Sequence, residues 1–213
     1  VEIVWLMDEQ IGVSTTDFNT YWKGYVDATI KKFDFANNNL IKFGVGFTKR
    51  PCTAPCYNNA QLLNDGTSVS TGMYAHAWQG GTTDWSARID DTIKNFWGLP
   101  QANVYHPPRV LVVMVGGGSS APVSEATLDA LYAQYDLKDV WAIGIGPNGN
   151  TDTALLAKIA SKNVRNVITW DNGAILEADY DYMWTRLCPG NEKICGSCSG
   201  FCRCNDPTDC SCP

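Results

Sequence analysis

Apolar positions along residues 1–187 switch repeatedly between two spacings. Residues 1–7, VEIVWLM, form a short, nearly unbroken apolar run, the pattern of a strand covered on both faces of a parallel sheet. Phe18, Tyr21, Trp22, Tyr25, Thr29, Ile30 and Phe33 then recur at steps of three and four, which predicts an amphipathic helix over 17–33. LIKFGVGF (40–47) predicts a second strand. The Gly-, Asn- and Thr-rich stretch after it supports at most short strands, and His76 in MYAHAW alternates with apolar residues as on a strand or turn facing solvent. Trp85, Ile89, Ile93, Phe96 and Trp97 give another helical stripe, and RVLVVMV (109–115) another buried strand. Leu128, Leu131, Tyr132 and Tyr135 mark a helix started by Ser124, with Glu125 in its first turn. VWAIGIG (140–146), a helix over 152–161, NVITW (166–170) and a helix over 173–187 complete the series. Such alternation predicts a doubly wound α/β domain, a mainly parallel sheet with helices on both faces.

Composition narrows the picture. With 213 residues, 45% hydrophobic and 18% charged, the chain suits one large domain with a small appendage. Eight Trp, nine Tyr and seven Phe supply apolar area, and the Gly and Pro residues follow no fixed period, which excludes global disorder and collagen. No apolar run reaches membrane-spanning length, and the first residues lack the basic-then-apolar layout of a secretory signal, so a mature chain without a membrane span is expected. The net charge is −6 with no Lys/Arg cluster, which argues against a nucleic-acid partner.

The nine cysteines divide the chain. Cys52 and Cys56 stand alone, and seven more follow at Cys188, Cys195, Cys198, Cys202, Cys204, Cys210 and Cys212. That tail, rich in Gly, Ser, Asn, Asp and Pro, cannot build an apolar core and needs crosslinks. It has no His and one Cys-x2-Cys pair, Cys195 and Cys198, so disulfides fit better than zinc. The expected division is an α/β domain over 1–187 and a disulfide-stapled tail over 188–213, in an oxidising, extracellular setting. Cys52 and Cys56, flanking Thr53, Ala54 and Pro55, are expected to pair as a local clip.

In doubly wound sheets the ligand site lies where loops leave the carboxyl ends of the strands. Here those loops are DEQIGVS, GGGSSAP and GPNGN. VEIVWLMD, the long helix, LIKFGVGF, GGTTD opening a helix, VLVVMVGGGSS, VWAIGIG and a final helix ending LC, in that order, resemble a von Willebrand factor type A (VWA) domain over residues 1 to about 188. The resemblance implies a metal-ion-dependent adhesion site built from Asp-x-Ser-x-Ser, a Thr in the GGTT-like loop and a later Asp. This chain places Asp8, Gln10 and Gly12 in the first loop, Thr83 in the second and Gly116 where the later Asp would stand. Two hydroxyls and one carboxylate are lost, a thin donor set for a reluctantly dehydrated ion. The expectation is no cofactor and at most a weak divalent cation, with Asp8 bracing its loop and Thr83 beginning a helix.

Enzymatic readings fare worse. Gly144, Gly146 and Gly149 spell GxGxxG, with Asp171 22 residues beyond Gly149, but Pro147 removes an N–H from any phosphate cradle and Gly149 precedes the predicted helix. Gly116 to Ser120 lacks both the Walker lysine and the Gly-x-Ser-x-Gly elbow. His76 and His106, the chain's two histidines, stand in no recognisable catalytic context. The expected function is therefore non-enzymatic. It is that of an extracellular structural or adhesive protein associating with other chains, copies of itself included, into a filament or matrix. The alternatives are a cation-dependent receptor module for an acidic ligand and, third, a nucleotide-binding enzyme.

Overall fold

Strand β1 (Glu2–Met7) is buried along its whole length because it lies between two other strands and two helical layers. The computed structural model describes residues 1–10, 12–33, 41–48, 62–98, 107–146, 152–161 and 166–170. Beside β1 lie β2 (Lys42–Phe47) and β3 (Arg109–Val115), then β4 (Leu137–Ile145) and β5 (Val167–Trp170), in the order β2-β1-β3-β4-β5. Every strand pairing is parallel. One antiparallel bridge, Phe43 to Leu63, adds two backbone hydrogen bonds on β2.

The period of two along each strand sorts side chains into two cores. Ile3, Trp5 and Met7 share a face with Val110, Val112 and Met114 and pack under Phe18, Trp22, Tyr25, Val69 and Met73. Val4, Leu6, Leu111, Val113 and Val115 pack on the other face under Trp85, Ile89, Ile93, Leu128 and Leu156. Burying one such aliphatic side chain contributes roughly 1.5–3 kcal/mol, so the continuous apolar runs of β1 and β3 settle on a two-sided sheet. The first face is covered by a π-helical segment, Asp17–Trp22, that runs directly into α1 (Lys23–Lys31), and by α2 (Gly66–Ala75). The second is covered by α3 (Trp85–Trp97), α4 (Glu125–Gln134) and α5 (Thr153–Ile159). Asp65, Asp84, Ser124 and Asp152 cap α2, α3, α4 and α5, each accepting a backbone N–H of the first turn. The doubly wound α/β architecture expected from the pattern is present.

Three local expectations need correction. Helix α2 occupies a stretch where the sequence supported only short strands. Its residues GTSVSTGMYA include poor helix formers, and only Val69 and Met73 are buried, so its apolar stripe is too narrow to read. The helix predicted over 17–33 begins as a π-helix, which the spacing of Phe18 and Trp22 does not distinguish from an α-helix. Strand β4 starts at Leu137, where Leu137 pairs with Arg109 before a register shift. The preceding Asp136 takes a left-handed turn (φ 51°), a conformation Asp tolerates better than most residues. The predicted helix over 173–187, His106, all nine cysteines and the tail from 188 lie outside the described residues.

Candidate functional site at the carboxyl end of the sheet

The chain leaves β1 towards β2 on one side, while β3 lies on the other. The crevice between the carboxyl ends of β1 and β3 is thus the topological switch point, where open α/β sheets bind ligands. Asp8 stands there. It is fully buried, and its carboxylate is wrapped by donors from four segments. Oδ1 accepts from Gln10 N at 3.1 Å, Thr48 Oγ at 3.2 Å and Thr83 Oγ at 3.0 Å. Oδ2 accepts from the N–H of Gly116 at 2.9 Å. Burial raises the Asp8 carboxyl from 3.8 to about 6, against the opposing pull of the hydrogen bonds from Gly116, Thr83, Gln10 and Thr48.

Gly116 is bare for a steric reason. A Cβ there would lie 2.1 Å from Val13 Cγ2 and 2.8 Å from Trp22 Cη2. The π-helical segment carries Trp22 into this position, so the place of an acidic side chain is filled by two apolar ones. Gln10 reaches across to the loop after β3 and donates from Nε2 to Gly118 O at 2.6 Å. Gly12 is exposed and brings no side chain. Thr83 lies just ahead of α3, whose cap is Asp84, so Thr83 serves Asp8 and does not itself begin the helix.

These residues do not fit the divalent-cation site of an adhesion motif. The one carboxylate is enclosed by protein donors, the hydroxyl positions at 10 and 12 hold an amide and a glycine, and the second acidic position has no room for a side chain. An octahedral Mg²⁺ site needs several oxygens facing one open point. Among the described residues no group of three or more His, Cys, Asp or Glu side chains gathers to hold an ion.

Next to Asp8, the sequence reading missed Glu9 and His76. Glu9 is almost wholly buried. Its N–H donates to Thr48 Oγ at 2.9 Å, and its Oε1 meets His76 Nε2 at 2.8 Å. The His76 ring stacks on Phe47 at 3.7 Å and 9°, so it is not the solvent-facing residue that the alternation in MYAHAW suggested. Lys23, also buried, donates from Nζ to His76 O and Asn19 Oδ1 and lies over the Phe18 ring. Burial lowers the Lys23 ammonium, and the Glu9 charge partly restores it. The signal for this cluster was the placement of His76 one residue beyond α2, which was legible only once α2 itself was known.

The GxGxxG string is not a phosphate loop across the part described. Gly144 is a strand residue, in register with Val115 and Thr169, and Gly149 and Asp171 lie outside the described residues. No described helix is long and apolar enough to cross a membrane.

Several solved structures share this architecture. Proximal thread matrix protein 1 from the mussel byssus superposes with a TM-score of 0.67 at 18% identity, covering 84% of this chain and 46% of its own. The VWA domain of SpRpn10 matches with a TM-score of 0.58 at 14% identity, over 84% of this chain and 93% of that one. The fold is a von Willebrand factor type A fold. BatB from Bacteroides thetaiotaomicron matches equally, with a TM-score of 0.58 at 14% identity, over 86% and 95%. The chain thus spans about half the length of the byssus protein, 46%. Another form of that protein has a zinc-occupied adhesion motif. No protein-family model matches the VWA-fold chain, and no curated protein matches it in sequence.

Proposed function

We propose that this VWA-fold chain is an extracellular, non-enzymatic association module that joins other protein chains, its own copies included, without a divalent cation. The closed crevice carries the reading. Gly116 N–H donates to Asp8 Oδ2 at 2.9 Å, and Val13 and Trp22 fill the space beside Gly116. That arrangement leaves the usual ligand point of the fold sealed from within, so recognition falls to the outer surfaces and to the tail.

The tail supplies the fastening. If Cys52 and Cys56 pair, seven cysteines remain in 188–213, an odd number that cannot all pair among themselves. An exposed thiol does not persist outside the cell, so the seventh is proposed to bond a neighbouring chain. Contacts of this head-to-tail kind give open fibres when their rotation does not close. The likeness to a byssus matrix protein supports the reading at the level of fold. Native protein run on gels with and without reductant tests it. Covalent multimers that collapse on reduction are expected, and a single monomer band in both lanes would overturn it.

A further inference from the structure

A groove of about 920 Å³ lies along α1 and α2, and its walls include Asp27, Lys31, Asp65, Ser70 and Tyr74. It sits towards the end of the sheet away from Asp8. Phe33, on the same wall, packs against Phe43 at the start of β2 with ring centroids 4.9 Å apart, whereas Asp8 follows the far end of β1. Asp27 is only 9% exposed. Its Oδ1 accepts from Ser70 Oγ at 2.6 Å, and its Oδ2 accepts from Lys31 Nζ at 2.6 Å. A carboxylate can accept about four hydrogen bonds, so Asp27, which lines the groove, retains acceptor capacity beyond these two.

The cation already there remains largely in water. The Lys31 side chain is 71% exposed although Asp27 is buried, and an i,i+4 pair with a solvated lysine contributes little. Tyr74 is 47% exposed, which leaves part of its ring open to a ligand. Partial burial, and then the Asp27 charge, push its hydroxyl above the ordinary value, so the ring stays neutral. With Asp27 and Asp65 against Lys31, the groove carries an excess of negative charge.

We propose that this groove receives an arginine side chain of a partner protein, the guanidinium replacing the Lys31 ammonium on Asp27 and lying against the Tyr74 ring. A planar guanidinium donates two parallel hydrogen bonds to a carboxylate and stacks on an aromatic face, which an ammonium does not. The inference rests on the association reading and names one partner chemistry for it. Oligomer sizing does not report on the groove, so the two fail separately.

The test is a fluorescence anisotropy titration of the full chain with a labelled Gly-Arg-Gly-Arg-Gly peptide and with its neutral citrulline counterpart, at low salt. Saturable binding of the arginine peptide is expected, at least about tenfold weaker for citrulline. Tyr74→Ala should weaken it about threefold, and Lys31→Ala should tighten it about twofold by removing the internal competitor. Lys94→Ala is the control, because Lys94 makes the same i,i+4 pair with Asp90 at 2.6 Å on α3, and it should leave binding unchanged. Absence of saturable binding, equal tightening by Lys31→Ala and Lys94→Ala, or binding of maltotriose that Tyr74→Ala abolishes while the arginine peptide does not bind, would overturn the proposal.

Discussion

Asp8 and Gly116, 108 residues apart in sequence, are joined by a 2.9 Å hydrogen bond from the Gly116 N–H to Asp8 Oδ2. The bond spans the point where the chain order of the sheet reverses, and it ties the loop after β1 to the loop after β3. Thr48 and Thr83 bring the loops after β2 and before α3 onto the other oxygen. The carboxylate thus gathers four segments around itself.

Removing that carboxylate leaves buried donors without an acceptor. Asp8→Ala is therefore expected to destabilise the fold by about 3 kcal/mol or more, measured by urea denaturation. A cost under about 1 kcal/mol would mean that the loops are held by something else.

The same group sets a pH dependence. Its folded value, about 6, lies above the unfolded 3.8, so the native state holds the proton more tightly. Its stabilising contribution is full below about pH 3.8 and is lost as pH rises through about 6. The raised value corresponds to a change on the order of 3 kcal/mol. Unfolding free energies of wild type minus Asp8→Asn, followed from pH 3.5 to 7.5, should fall over that window. A flat difference would remove the buried-acid account.

Gly116 tests the steric half of the closure. Gly116→Ala should cost about 2 kcal/mol or more, because its Cβ meets Val13 and Trp22 far inside contact distance. Gly116→Asp, which restores the acidic residue of the adhesion motif, should cost at least as much and should not create Mg²⁺ binding by calorimetry. A stable, Mg²⁺-binding Gly116→Asp variant would show that the crevice opens readily.

The proposed independence of cations is open to a thermal test. A ligand bound only by the native state at a hundred times its dissociation constant raises stability by about 2.7 kcal/mol. Millimolar Mg²⁺, Mn²⁺ or Ca²⁺ should leave the melting temperature unchanged. A clear shift that Asp8→Ala abolishes would restore the metal reading.

The sheet was legible because the runs at 1–7 and 109–115 are apolar at every position but Glu2 and Arg109, as a short strand buried on both faces requires. Helix α2 was not legible, since its Ser, Thr and Gly residues carry little propensity and its two buried residues make a thin stripe. The positions Asp8, Gln10, Gly12, Thr83 and Gly116 could be named from the order of segments. That Val13 and Trp22 crowd Gly116 could not, because it depends on the π-helical turn at Asp17–Trp22. Glu9 and His76 were hidden for a similar reason. Their pairing bridges 67 positions and needs α2 to end at Ala75.

The central claim, association without a cation and fastened by the cysteine-rich tail, is tested most directly by multi-angle light scattering of the native protein in EDTA, before and after reduction. The account predicts particles well above the 23.3 kDa of one chain that persist in EDTA and shrink when reductant is added. A monodisperse 23.3 kDa species under both conditions, with the odd cysteine stably free or every tail cysteine paired internally, would contradict it.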